Sequence, residues 1–181
     1  MEQILLKRYL TKFDELNTLK VYQKVIDAET KQDAVNEFND ILIDAYIEGF
    51  SSASYILGDI SVDEVLLTES LDKEYDGVSI QEKIGTYYEQ KDYVSAKALI
   101  ESEYHRVYNK ARENAYADKG YSKLWLTVGD DKVRETHSFL DGVTVNAGER
   151  FYTIDGDSAL YPGDFENAEN NANCRCVVDY K

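Results

Sequence analysis

Apolar residues recur every three or four positions through the first two-thirds of the chain, and this spacing places them on one face of a helix. A first stripe predicts a helix over residues 2–28; its members are Ile4, Leu5, Tyr9, Phe13 and Leu16. A second stripe predicts a helix from about Thr30 toward Leu57, ended by Gly58; its members are Ala34, Phe38, Ile41, Leu42 and Ala45.

Capping signals divide the next region into shorter helices. Ser61 and Ser79 each stand three residues before a glutamate, a capping-box pattern that predicts a helix start. Asp92 is a suitable N-cap for a long helix over residues 93–118. Proline, which would interrupt a helix, occurs only at position 162.

The hydrophobic pattern changes at Gly120, after which short apolar or β-branched runs alternate with Gly and Asp turn signals. The runs cover residues 124–128, 143–145, 151–154 and 176–180. We therefore expect an α+β fold: an all-helical N-terminal region over residues 1–120, followed by a small C-terminal α+β domain with short strands over residues 121–181. Strands are expected only after Gly120.

Charge and cysteine content narrow the classes of function. The formal net charge is −15, so we expect no sequence-specific binding to nucleic acid, whose backbone carries the same sign. The two cysteines stand one residue apart, where a disulfide would be strained, and the chain suits a reducing cytosol. We see no apolar run long enough for a signal peptide or a membrane span, and we expect no membrane partner.

A series of motifs fills the last third of the chain. In order they are the strand residue Trp125, Asp131-x-Val133-Arg134-x-x-His137, Leu140-Asp141-Gly142, Gly148-Glu149-x-Phe151, Tyr161-Pro162-Gly163 and Asn173-Cys174-Arg175-Cys176. Each motif is weak alone, but the order and the spacing together are specific. The series resembles the phage head-morphogenesis, or minor head protein, family (phage Mu F-like) over about residues 93–178.

The resemblance implies a structural role. A member of this family would be a minor head (minor capsid) protein that acts in head morphogenesis and procapsid assembly. It would be made in the host cytoplasm, held in the virion head through the portal, the major capsid protein or the scaffold, and could serve DNA packaging or ejection. The alternative is a small toxin-like or metal-dependent enzyme, nuclease-like or transferase-like, carried in the virion. We assign no catalytic residue and favour a protein that is not an enzyme.

His137, Cys174 and Cys176 are the residues of this series that could bind a metal, because imidazole and thiolate are zinc ligands. Some relatives resemble zinc ribbons, with a cysteine pair at the positions of Arg134 and His137 and a histidine at that of Asn171. This chain keeps at most three of those five ligands, which Asp131, Asp141 or His105 could complete. We favour a metal-free cluster with no cofactor and keep zinc as the alternative.

In the metal-free interpretation the remaining motif residues have structural roles; they are Trp125, Asp131, Arg134, Asp141, Gly142, Pro162, Asn173 and Arg175. The His137 ring would bind a backbone carbonyl and fix the turn at Asp141-Gly142. Both arginines would pair with Asp131, Asp141 or Glu149 and so hold the loops in place.

Overall fold

A computed structural model describes residues 21–58 and 61–181 of the chain. The predicted first helix lies mostly outside these residues, and its described end is helical over residues 21–26. The following helices are α1 (Lys31–Leu57), α2 (Glu64–Leu71), α3 (Ile80–Gln90) and α4 (Tyr93–Tyr116).

Side chains cap all four of these helices, and Thr30 caps α1 by accepting a hydrogen bond from the Asp33 amide. Ser79 accepts a hydrogen bond from the Glu82 amide, and Asp92 accepts one from the Ser95 amide, as the sequence predicts. The start predicted at Ser61 is wrong. Asp63 is the N-cap of α2, because its backbone is extended and its carboxylate accepts the Val65 and Leu66 amides.

A short hairpin precedes α3. β1 (Glu74–Tyr75) pairs with β2 (Val78–Ser79) in antiparallel register, so the prediction that strands occur only after Gly120 is wrong. The connection is Asp76-Gly77, and both residues have positive φ, as a tight two-residue hairpin turn requires. Two-residue strands are too short to give an alternating pattern in the sequence.

Helices α1 and α4 form the most extensive contact between helices. Their backbones approach closely at Gly49, where an added Cβ would overlap the Tyr108 carbonyl oxygen and lie 3.1 Å from the Ala111 Cβ. The interface buries apolar side chains from both helices, among them Phe38, Leu42, Tyr46, Ile100, Val107 and Ala111. This burial holds the helical region together.

The chain after α4 forms short strands and helices. These are β3 (Ser122–Leu126), α5 (Glu135–Ser138), β4 (Thr144–Asn146), β5 (Phe151–Tyr152), β6 (Ser158–Ala159), α6 (Ala168–Asn171) and β7 (Val177–Tyr180). Within residues 121–181, β3 is the centre of a three-stranded antiparallel sheet in the order β4-β3-β7, and β5 pairs with β6. The predicted α+β class is confirmed.

The hydrophobic core is continuous from α1 to β7. One cluster of buried side chains includes Phe38 and Ile100 from the helices together with Trp125 and Phe165 from the C-terminal third. At its edge Tyr180 stacks on Tyr116, with ring centroids 4.2 Å apart.

Buried polar contacts also join α4 to the sheet. Glu113 accepts hydrogen bonds from Lys123 Nζ at 2.7 Å, from the Gly148 amide at 2.7 Å and from the Tyr180 hydroxyl at 2.6 Å. Arg112 donates to the Val178 carbonyl at 2.6 Å. The long helix therefore fixes the position of the sheet that follows it.

Of the helices in the described residues, none combines the length and the apolarity needed to cross a bilayer.

Candidate functional site

Three side chains singled out in the sequence lie together in the C-terminal third. The His137 Nδ1 atom is 3.7 Å from Cys174 Sγ and 3.4 Å from Cys176 Sγ. All three residues are buried, and their candidate ligand atoms lie within 4.8 Å of one another. Neither cysteine forms a disulfide. The arrangement is one in which two sulfurs and one imidazole nitrogen face a common point.

Local backbone geometry produces this convergence. The short helix α5 starts after Arg134 and carries His137 toward the interior. Asn173 has a positive φ, and this turn comes directly before Cys174. The sequence predicts a last strand from Cys176, but β7 begins only at Val177. The cysteines therefore converge through a turn that precedes the strand.

Arg134 and Arg175 fix the two segments that carry the cluster. Arg134 donates a hydrogen bond to the Ala172 carbonyl, which links α5 to the cysteine segment. Arg175 points outward and forms a bidentate pair with Asp130, at 2.7 and 2.8 Å. The prediction that the two arginines pair with Asp131, Asp141 or Glu149 is therefore wrong.

The acidic residues named in that prediction are engaged elsewhere or exposed. Asp141 accepts hydrogen bonds from the Thr127 amide and hydroxyl, and Glu149 accepts one from the Asn146 amide. Asp131 is exposed. Asp130 is the nearer partner for Arg175 because the turn after β3 brings it, rather than its neighbour, to the cysteine segment.

Aromatic rings surround the histidine. Phe165 stacks on the His137 ring with centroids 5.0 Å apart, and Trp125 meets it edge-on at 6.0 Å. The predicted hydrogen bond from this ring to a backbone carbonyl is wrong, because Nδ1 faces the sulfurs. Among the residues that the structure describes, nothing hydrogen-bonds the buried His137 Nε2.

The turn at Asp141-Gly142 is held by the backbone instead. Gly142 has a φ of 85°, and its amide donates to the Trp125 carbonyl at 2.9 Å. Pro162 is buried, and the following Gly163 lies so close to α4 that an added Cβ would be 3.0 Å from the Arg106 backbone. The glycine at position 163 therefore allows its loop to pack closely on α4.

A second histidine lies near the cluster on α4. His105 is buried and is close enough to Cys174 to lower the pKa of its thiol. Its Nε2 lies 3.2 Å from Asn109 Nδ2, one helical turn further along α4. His105 is one of the three residues that the sequence offers to complete a ligand set. The structure places it near Cys174 but outside the group of three residues whose ligand atoms lie within 4.8 Å of one another. The helical period predicts its contact with Asn109, but no local pattern predicts its contact with Cys174.

The two thiols differ in acidity. The hydrogen bond from the Cys176 thiol is the main cause that holds the pKa of Cys174 well below its ordinary value; His105 and His137 lower it further, whereas burial opposes them. The same contact with Cys174, together with burial, raises the pKa of Cys176. The cluster thus favours a thiolate on Cys174, and thiolate is the form that binds metals and acts as a nucleophile.

The space beside the cluster is small. A cavity of about 10 Å³ opens next to His137 and Cys176, enough for about one water molecule. Sites for organic substrates are larger by more than an order of magnitude. The geometry therefore suits an ion or a structural cluster rather than a thiol nucleophile with an organic substrate.

Comparisons with known proteins place this chain in a family. The sequence model described as "Phage Mu protein F like protein" matches residues 67–179. The minor head protein GP7 of Bacillus phage SPP1 is 32% identical over 95 residues, which cover 50% of this chain and 31% of that protein. No solved structure matches.

A second relative is an enzyme. The NAD(+)–arginine ADP-ribosyltransferase EFV of Enterococcus faecalis is 45% identical over 56 residues, or 31% of this chain and 11% of that protein. The chain thus spans less than a third of the length of either curated relative. The family model, in contrast, covers more than half of the chain, including the motif series and the cysteine end. The chain therefore belongs to the Phage Mu protein F like family, the phage minor head protein family that its motifs resemble.

Proposed function

We propose that this protein is a minor head protein that acts in head morphogenesis while bound to the portal, with the inner face of the major capsid protein or the scaffold as further contacts. The observation that carries the proposal is the family match over residues 67–179, together with the similarity to a minor head protein over half of this chain. It would join the procapsid in the host cytoplasm, remain in the virion, and contribute to DNA packaging or ejection.

The charge of the chain supports docking on a basic protein surface. At a net charge of −15, association with a basic face of a portal or scaffold is accelerated by long-range attraction, and salt screens that attraction. Duplex DNA repels such a chain. We therefore expect a protein partner and no retardation of duplex DNA in gel-shift experiments at physiological salt.

The chain is proposed to act without catalysis. The cluster of His137, Cys174 and Cys176 is buried and has beside it a cavity the size of a water molecule. The similarity to the transferase covers 11% of that enzyme, so its activity is not carried over to this chain.

Co-expression with head proteins of the same phage tests the proposal. The chain is expressed with the portal protein, with the major capsid protein and with the scaffold, and each mixture is analysed by native mass spectrometry and size-exclusion chromatography. We expect co-elution with portal oligomers at a fixed stoichiometry, and an association rate that falls as salt rises. A portal from an unrelated phage is the control. Equal binding to both portals, or to neither, would contradict portal docking.

A further inference from the structure

The distances in the buried cluster match a metal centre. A tetrahedral zinc ion bonds thiolate sulfur at about 2.3 Å and imidazole nitrogen at about 2.1 Å, so a bound nitrogen and sulfur lie about 3.6 Å apart. The two distances from His137 Nδ1 to the sulfurs of Cys174 and Cys176 are 3.7 and 3.4 Å. Both nitrogen–sulfur distances therefore match those of a tetrahedral zinc site, and the two sulfurs lie within 4.8 Å of each other.

His105 supplies a fourth side chain of the right chemistry. It comes from α4, is buried, and is one of the groups that lower the pKa of the Cys174 thiol. Asn109, one turn later on the same helix, contacts its Nε2 and donates to its backbone carbonyl at 2.8 Å. The ligand atoms of His137, Cys174 and Cys176 lie within 4.8 Å of one another. His105 lies outside that group of three, so its ring would turn toward the group to become the fourth ligand.

We propose that His105, His137, Cys174 and Cys176 form a structural zinc site that fastens α4 to the C-terminal third of the chain. Two thiolates and two neutral imidazoles suit zinc, because this mixture of sulfur and nitrogen donors in a tetrahedron is typical of that ion. The two thiolate charges balance the charge of the ion, as a buried site requires. With four protein ligands no position remains for a substrate, so the site would be structural.

The proposed metal would join segments that are distant in sequence. His105 lies in the middle of α4, His137 lies in α5, and the cysteines precede β7. One ion would thus hold together the helix, the loop after β3 and the last strand, and binding would contribute to folding. This inference does not rest on the proposed function, and its test is independent of portal binding.

Metal analysis of the full chain gives the first test. The protein is purified without chelator, and its zinc content is measured by inductively coupled plasma mass spectrometry before and after dialysis against EDTA. We expect one zinc ion per chain and a lower melting temperature after its removal. Zinc far below one per chain, both as purified and after incubation with zinc salt, together with a melting temperature that EDTA does not change, would overturn the proposal.

Cobalt substitution tests the ligand set without a variant. Co²⁺ added to the metal-free protein is expected to give the visible absorption of a tetrahedral ion and the ultraviolet charge-transfer band of cobalt–thiolate bonds. Zinc should abolish both signals at one equivalent. An octahedral spectrum, or one without thiolate bands, would refute the assignment.

Variants identify the fourth ligand. Cys174→Ser and His137→Gln should lose zinc. His105→Gln should weaken zinc binding by at least about 100-fold, because removal of a residue that only orients a ligand already weakens metal binding by up to about that factor. Arg175→Ala is the matched control, because its side chain stands between the cysteines but points outward to Asp130. If His105→Gln binds zinc as tightly as this control, a three-residue site replaces the proposed one; Co²⁺ spectra of each variant show whether it still folds around metal.

Discussion

At the scale of single residues, buried charge is the most consequential feature outside the cysteine cluster. Lys123 and Glu113 form an ion pair at 2.7 Å, with side-chain exposures of 0% and 5%. Lys123 also donates to the Leu160 carbonyl at 2.8 Å, while Glu113 accepts from the Tyr180 hydroxyl. Burial lowers the pKa of Lys123, and its contact with Glu113 opposes that effect. Removal of either side chain would therefore leave the charge of the other buried without its partner.

We expect Glu113→Gln to lower the free energy of unfolding by about 3–5 kcal/mol, because it leaves the Lys123 ammonium buried without its counter-charge. Urea denaturation monitored by circular dichroism measures the loss. Glu89→Gln is the control, since Glu89 pairs with Lys31 at the exposed surface and should cost about 0–1 kcal/mol. Addition of Lys123→Met to the Glu113 variant should restore part of the stability. Equal losses of unfolding free energy in Glu113→Gln and Glu89→Gln would contradict this account of the buried pair.

At the scale of elements, the close approach of α1 and α4 sets the geometry of the helical region. Gly49 is the contact point, and the Tyr108 carbonyl of α4 occupies the space where a side chain would lie. Gly85 in α3 differs, because an added Cβ there would meet the Lys31 Cε at 2.7 Å, the flexible end of a side chain. The two glycines therefore have different tolerances to the same substitution.

Gly49→Ala should destabilise the protein by about 1–3 kcal/mol, since the methyl group forces two helix backbones apart. Gly85→Ala should be neutral or stabilising by up to about 1 kcal/mol, because Lys31 can move aside and alanine favours a helix. Thermal and urea unfolding of both variants compares them directly. A loss in Gly85→Ala as large as that in Gly49→Ala would show that the backbone contact is not the cause.

The sequence predicts elements that local chemistry determines and misses contacts made across the fold. Ser79 and Asp92 are correctly predicted as caps because a cap needs only amides within three residues. Ser61 fails because Asp63 offers a competing acceptor two residues later. The helices α5 and α6 span four residues each, too few to give a helical period.

The same distinction holds for the candidate site. Histidine and cysteine chemistry, with the motif spacing, selects His137, Cys174 and Cys176 from the sequence, and the structure brings them together. The contact of His105 with Cys174 depends on how the last strand docks against α4, 69 residues earlier in the chain, and no local pattern determines that. The partner of Arg175 is likewise decided by the path of the loop after β3.

At the scale of the whole molecule, buried or half-buried tyrosines lie beside carboxylates in both the helical region and the C-terminal third. Burial is the main cause that raises the pKa of Tyr75, Tyr161 and Tyr180, and the neighbouring carboxylates of Glu103, Asp164 and Glu113, respectively, raise it further. Tyr75 donates to Glu103 and Tyr180 donates to Glu113, both at 2.6 Å. Ionisation of either hydroxyl would place two negative charges side by side.

These tyrosines make the fold sensitive to alkali. A raised pKa in the folded state contributes stability that is complete below the unfolded value of about 10 and is lost as the pH rises toward the folded value. Each tyrosine adds a slope of up to about 1.4 kcal/mol per pH unit. The lowered pKa of Lys123 acts in the opposite direction, but only below about pH 10.4.

We therefore expect the free energy of unfolding to fall steeply between about pH 10 and pH 11, and to fall less in Tyr180→Phe, which has no hydroxyl to ionise there. Urea unfolding at about pH 8, 10 and 11 gives the stabilities, and absorbance at alkaline pH shows whether tyrosine ionisation accompanies unfolding. Stability that stays constant over this range, or an identical slope in the variant, would contradict the role assigned to these side chains.

Virion composition tests the central claim, that this chain is a minor head protein. Particles of the phage that encodes the chain are purified by density gradient, and quantitative mass spectrometry compares this chain with the major capsid protein in filled particles and in DNA-free heads. We predict that the chain is present in both at one fixed ratio, far below that of the capsid subunit. Recovery of the chain in the infected-cell lysate but in neither kind of particle would contradict the assignment.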